Sequence, residues 1–210
     1  MATSNRWHQP YIVLTNAGCQ QKSVFKKCTF EVNGLAMHFS LSKSVEILER
    51  TPDVLITMLH NLSNEWTFNN EGGESWNVYD IVGHLIHGEK TDWVPRMEII
   101  LSGKPDKAFE PFDRFAQLKN NEAPTLHQLL DEFKSIRQRN IALLKSKQLT
   151  DADLLQTGIH PAFGAVTLSQ LISTWTVHDL NHLAQIARVM AKQYSAAVGP
   201  WTAYLRILQS

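Results

Sequence analysis

With 210 residues the chain can bury a core of its own, and one domain, or one domain with an appendage, is the expected organisation. Its 20 basic and 20 acidic residues balance to zero formal charge and form no long run of one sign, which excludes an electrostatic nucleic-acid footprint. Cys19 and Cys28 are the only cysteines and no stretch reaches the roughly 18 apolar residues of a spanning helix, so a disulfide framework, thiolate metal ligands beyond the first 30 residues and a membrane partner are excluded; the expected setting is a reducing cytoplasm.

Residues 1–36 carry Asn16, Gly18, Lys26, Lys27, Asn33 and Gly34 without a 3.6-residue apolar pattern. They are read as an appendage, either an extension or a mis-called start ahead of Met37, and residues 37–210 as the domain. From Lys43 an amphipathic pattern through Val45, Leu48, Leu55, Met58 and Leu62 predicts a first helix, bent or restarted where Thr51-Pro52 reads as N-cap and first helical position. A turn-rich stretch, 69–73, leads to a second helix capped by Asn77 with Asp80 and carrying Val78, Ile81, Val82, Leu85 and Ile86, which Pro95 kinks or ends. Residues 102–123 then form a long irregular crossover whose Phe109, Phe112 and Phe115 tack it to the core. Thr125 with Gln128, and Thr167 with Gln170, are capping boxes for a third and a fourth helix. Between those two, a short helix near 151–155 precedes a loop over Gly158 to Gly164, and a last short helix follows Gly199-Pro200. With no alternating strand pattern in 37–210, the expected fold is all-α: a four-helix bundle with a long crossover between helices two and three.

The fourth helix carries the chemical signal. Leu168, Leu171, Trp175, His178, His182, Gln185 and Val189 follow one another at spacings of 3, 4, 3, 4, 3 and 4, which is one helical face. Three polar residues in that inward seam require partners, because an unsatisfied buried polar group costs about 1–3 kcal/mol. Two imidazoles on adjacent turns suit one cation, with zinc, nickel, copper and iron all compatible. Hydrogen-bonded core histidines are the competing reading. His84, three residues after Ile81 on the inner side of helix two, is the candidate third ligand, with Gly88 leaving room for a neighbouring helix. His87, roughly 300° further round, is its competitor. His127 and His160 are read as surface features, and His8, His38 and His60 lack a helical partner at ligand spacing.

The segments WNVYDIVGHLIHGEKTDWVPR (76–96) and VTLSQLISTWTVHDLNHLAQIARVMAKQY (166–194) together resemble the DinB/YfiT-like superfamily over about residues 37–210. The resemblance rests on a Trp before the helix that carries His84 and Glu89, and on His178, His182 and Gln185 read as HxxxHxxQ. It implies a four-helix bundle with a three-histidine divalent metal site (His84, His178, His182), zinc or nickel as the metal, a homodimer, and a small-molecule substrate. The reactions it implies are transfer of a low-molecular-weight thiol to an electrophile or, as the alternative, hydrolysis; a non-catalytic metal-binding stress protein is the third possibility. Three neutral histidines leave a coordination position open, the pattern of a catalytic site. Glu89, Asp92 and Gln185 are then expected to orient the imidazoles, although Glu89 and Asp92 could instead pair with Lys90 or Arg96. Asp113 and Arg114 could line the pocket mouth or form a local salt bridge. Asp179 stands where a metalloprotease HExxH motif has Glu, and the shorter side chain argues against a protease.

Overall fold

The computed structural model describes residues 38–119 and 124–209, so the appendage expected over 1–36, with Cys19, Cys28 and His8, lies outside the described residues. The chain folds as a four-helix bundle with a small hairpin. Its elements are α1 (Leu41–Leu59), α2 (Asn64–Phe68), α3 (Val78–Thr91), α4 (Trp93–Leu101), a 3-10 turn (Ala116–Lys119), α5 (Leu126–Ser146), α6 (Asp151–Leu154), β1 (Thr157–His160), β2 (Gly164–Thr167) and α7 (Leu168–Lys192), followed by 3-10 turns at Gly199–Tyr204 and Arg206–Leu208. Helices α1 and α3 each pack against both α5 and α7, so α1 and α3 stand diagonally across the bundle. Among the described residues no helix is long and apolar enough to cross a membrane.

The capping boxes expected at Asn77/Asp80, Thr125/Gln128 and Thr167/Gln170 all form, each satisfying helix-end N–H groups reciprocally. The expected restart at Thr51-Pro52 does not occur. Helix α1 is capped by Ser40 and runs unbroken through Pro52. A proline inside a helix leaves the carbonyl four residues earlier without its N–H; here Arg137 Nη1 donates to the Leu48 carbonyl at 2.8 Å in its place. The second helix does break before Pro95. It ends at Thr91 and restarts as α4, with Pro95 in the new first turn, where its missing N–H costs nothing. The break turns the Trp93 indole back over Gly88, where a Cβ would lie 3.2 Å from Trp93 Nε1.

The Gly158–Gly164 segment, expected as a loop, is a correction: it contains a hairpin, Thr157 pairing with Thr167 through to His160 with Gly164. Strand β1 is also held from its other side by the crossover, Phe109 N donating to the Ile159 carbonyl and Ile159 N to the Lys107 carbonyl, both at 2.9 Å. Phe109 is buried, whereas Phe112 is half-buried and Phe115 exposed, so only the first of the three phenylalanines enters the core. Gly158 is required there because a Cβ would meet the Phe109 ring at 2.4 Å. Gly158→Ala is therefore expected to destabilise by about 1–3 kcal/mol through overpacking, read from the shift in a urea unfolding curve.

The core divides into two apolar clusters. One gathers Leu48, Trp93, Met97, Ile100, Ile141, Leu144, Ile172 and Trp175; the other gathers Leu55, Leu59, Ile81, Leu85, Leu130, Phe133, Ile186 and Val189. A polar residue separates the two along each strut of the bundle: Thr51 on α1, Glu89 between the α3 residues of the second cluster and the α4 residues of the first, Arg137 on α5, and Asp179 with His182 on α7, all buried. The bundle thus carries one polar stratum across its middle. Polar groups at such depth are tolerated only when partnered.

Candidate metal centre

Within that stratum α3 contributes His84, and α7 contributes His178 and His182. Their Nε2 atoms converge: His84 Nε2 lies 3.2 Å from His178 Nε2, and His182 Nε2 lies 3.1 Å from the same atom. The ligating nitrogens of all three lie within 4.8 Å of one another. His84 and His182 are 5% and 7% exposed, and His178 is half-buried. His87 is not part of this cluster. Its ring packs on Phe112 at 5.0 Å and its Nε2 lies 3.4 Å from the Thr91 hydroxyl.

The donor set fits a divalent cation. Zinc–nitrogen bonds of about 2.0–2.1 Å place the nitrogens of a tetrahedral site about 3.3–3.4 Å apart, close to the 3.2 and 3.1 Å that separate His178 Nε2 from those of His84 and His182. Burial, reinforced by the neighbouring His182 and His87, pushes the His84 imidazole down to about 4. Burial, with His182, His84 and Arg137 adding to it, pushes His178 down to about 3. Burial also lowers His182, opposed by its hydrogen bond to Gln185. All three rings are therefore neutral near pH 7, as metal ligation requires. Gln185 Oε1 lies 2.7 Å from His182 Nδ1; an amide oxygen accepts, so Nδ1 holds the proton and Nε2 presents its lone pair to the cluster.

Aromatic side chains wall the site. Trp76 stands 4.8 Å from the His84 ring, in a loop anchored to α7 by the forked Arg188–Glu71 pair at 2.6 and 2.9 Å. The Trp93 ring lies 5.1 Å from that of His178, and Phe112 of the crossover lies 5.6 Å from His84. Arg114 stacks over Trp76 and Phe115, at 5.9 and 5.2 Å; a hydrogen bond with its backbone raises the His84 imidazole, opposed by the smaller lowering from its positive charge. Asp113 acts on His87 instead, opposing the lowering that burial imposes there.

Two of the residues expected beside the imidazoles are elsewhere. Both Glu89 oxygens are engaged away from the histidines, Oε1 by Arg137 Nη2 and Trp175 Nε1 and Oε2 by Asn140 Nδ2, each at 2.8 Å. Asp92 pairs with Arg96 at 2.6 Å, and both are buried rather than on a solvated face. The expected seam on α7 is buried at Leu168, Leu171, Trp175, His182 and Val189, but the buried face is wider than that seam: it also takes in Ile172, Asp179 and Ile186, while His178 and Gln185 are half-buried at its edge. Arg137 is absent from the sequence reading altogether. Its signal was present, since Phe133, Arg137, Ile141 and Leu144 follow at spacings of 4, 4 and 3 along α5. His127 is exposed as expected, packing on His60 at 5.0 Å, whereas His160 sits in β1 and stacks on Phe163 at 4.5 Å.

The imidazole shifts set an acid limit on the metal-free protein. In the unfolded chain these rings titrate near 6.5, whereas in the fold they resist protonation to about 4 and 3. Between those values the unfolded chain binds more protons, so acidification from pH 6.5 to pH 4 removes stability by up to about 1.4 kcal/mol per pH unit per imidazole. Above pH 6.5 these rings add nothing further. Urea midpoints of metal-stripped protein are expected to fall over that range, and to fall less steeply in His84→Ala and His178→Ala variants.

Residues 47–186 match the family model of the DinB superfamily. A protein of Oceanobacillus iheyensis named "Putative metal-dependent hydrolase" is 20% identical over 166 residues, which span 78% of this chain and 94% of that protein. The solved structure of YfiT from Bacillus subtilis, described as a probable metal-dependent hydrolase with an unusual four-helix bundle topology, superposes with a TM-score of 0.63 at 19% identity, covering 79% of this chain and 93% of that one.

Proposed function

The chain belongs to the DinB superfamily, and from that membership and the convergence of three imidazoles we propose that it is a divalent-metal-dependent enzyme acting on a small molecule. The observation that carries the reading is the convergence of three neutral imidazoles, from two helices, on one point in the polar stratum through their Nε2 atoms. His84, His178 and His182 would hold the ion, zinc or nickel by the chemistry of imidazole ligands. A divalent ion bound there supplies Lewis acidity and an open position at which water or a thiol is acidified. Gln185 keeps His182 in the ligating tautomer, and Trp76, Trp93 and Phe112 exclude bulk water from the rings.

The reaction that fits best is transfer of a low-molecular-weight thiol to an electrophile. Glu89 and Asp179 are committed to Arg137, Asp92 to Arg96 and Asp80 to the α3 cap, so none of these carboxylates is placed as a general base at the imidazoles. A thiol, with an ordinary pKa near 8.5, needs the least help to ionise. Hydrolysis is the second reading, favoured by the names of the two relatives. A small-molecule substrate and a homodimeric cytoplasmic protein belong to the same proposal. Zinc-loaded protein is expected to couple cysteine to a model aryl halide faster than it hydrolyses p-nitrophenyl acetate, with both rates lost in His178→Ala. Ester hydrolysis without thiol transfer would select the second reading, and no zinc-dependent turnover of either probe would defeat the enzyme proposal.

A further inference from the structure

A deeply buried ion cluster lies beside the imidazole cluster. Arg137 is 1% exposed and Asp179 fully buried, and all four Nη hydrogens of Arg137 are directed at acceptors. Nη1 donates to the Leu48 carbonyl at 2.8 Å and to Asp179 Oδ2 at 2.6 Å; Nη2 donates to Asp179 Oδ1 at 3.0 Å and to Glu89 Oε1 at 2.8 Å. One guanidinium on α5 thus grips α1, α3 and α7 at once, and it grips α7 in the forked geometry that fixes orientation as well as distance. Asn140, one turn on, closes the cluster by donating to the Glu89 carboxylate at 2.8 Å and to its backbone carbonyl at 2.9 Å.

The two carboxylates sit on the same helices as the imidazoles. Asp179 is the neighbour of His178 and lies three residues before His182. Glu89 follows His84 by five residues. Trp175, which donates to Glu89, stacks on Trp93 at 6.0 Å, and Trp93 abuts the His178 ring. Well-packed apolar residues stabilise a bundle at least as well as a buried ion cluster does, so stability alone does not account for this arrangement; fixing register between helices is the best-attested use of such a cluster.

We propose that Arg137 is a positioning residue for the three-histidine centre: by clamping Glu89 of α3 and Asp179 of α7 it sets the axial register at which the Nε2 atoms of His84, His178 and His182 converge. The inference rests on the metal reading of that cluster. The hydrogen bonds of Arg137 go to Leu48, Glu89 and Asp179 and not to the imidazoles. The clamp acts through the helix backbones, since a one-residue slip of α3 against α7 displaces a ligand by about 1.5 Å, several times the roughly 0.2 Å tolerance of a metal–ligand distance.

Two full-length variants test it. The first, Arg137→Lys, keeps a buried cation but cannot bridge both carboxylates with a planar fork. The second, Glu89→Gln/Arg137→Met/Asp179→Leu, removes all three charges together, so that no ion is left unpaired. Zinc affinity is measured by competition with a chromophoric chelator, the visible spectrum of the cobalt-substituted form is recorded, and the thermal midpoint is taken metal-free. The expected result is a zinc affinity about 10- to 100-fold weaker in both variants, with an altered cobalt spectrum, while the triple variant melts no lower than wild type. That combination separates positioning from a structural role. Affinities within about twofold of wild type in whichever variant folds overturn the proposal, and so does failure of both to fold, which would make the cluster a requirement of the fold itself. Wild-type protein retaining no more zinc than a His178→Ala/His182→Ala variant defeats the metal reading instead of the clamp.

Discussion

Zinc supplied at a hundred times its dissociation constant is expected to stabilise the metal-free protein by about 2.7 kcal/mol, a rise of about 5–10 °C in the melting midpoint for a domain of this size, and the His178→Ala/His182→Ala variant should show no rise. The effect arises because the ion binds the fold and not the unfolded chain. His84 and His178 are 94 residues apart in sequence, and only packing of α3 against α7 brings their Nε2 atoms to 3.2 Å. The rings are neutral at pH 7, so metal binding need not release a net proton from them. Gln185→Ala leaves all three ligands but removes the acceptor that holds the His182 tautomer, so it should bind zinc about 10- to 100-fold more weakly rather than lose it. A midpoint unmoved by zinc, nickel or cobalt in the wild type would rule out a preformed metal site. A double variant that responds like wild type would place the ion elsewhere.

Much of the fold was legible because its signals are local. Asn77, Thr125 and Thr167, each answered three residues later by Asp80, Gln128 and Gln170, mark three helix starts from within four residues of sequence. The hairpin was not legible, since β1 and β2 are four residues each and β1 gains its second set of partners from Lys107 and Phe109, some fifty residues earlier. Of the site, the pair His178 and His182 followed from spacing, and His84 over His87 from its relation to Ile81. Glu89 takes its partner from packing, since Arg137 comes from a different helix, whereas Asp92 pairs with Arg96, the i,i+4 neighbour that the sequence already offers as its alternative partner. An arginine in an apolar stripe is the same kind of signal as a histidine in one, and Arg137 sits in such a stripe on α5.

The polar stratum yields the other large effect. Arg137→Met is expected to cost about 3–5 kcal/mol, because it leaves Glu89 and Asp179 buried without their cation, whereas replacing all three with Gln, Met and Leu at 89, 137 and 179 is expected to be neutral or stabilising. Burial already pushes the Glu89 carboxyl up against the opposing pull of Arg137, so losing the guanidinium should push it up further and make the single variant less unstable as pH falls. One acceptor stays orphaned in both variants. The Leu48 carbonyl loses Arg137 Nη1, and Pro52 offers no N–H to replace it. Adding Pro52→Ala restores that donor, so it should recover about 1 kcal/mol or more in either Arg137 variant, since an unsatisfied buried carbonyl carries a penalty of about 1–3 kcal/mol. In the wild type, where Arg137 already satisfies the carbonyl, the same substitution should bring a smaller gain. A four-way comparison of urea unfolding free energies measures this coupling directly. An equal effect of Pro52→Ala in both backgrounds would mean that the proline and the arginine act independently; a larger effect without Arg137 would mean that the buried arginine stands in for the helix hydrogen bond that Pro52 removes.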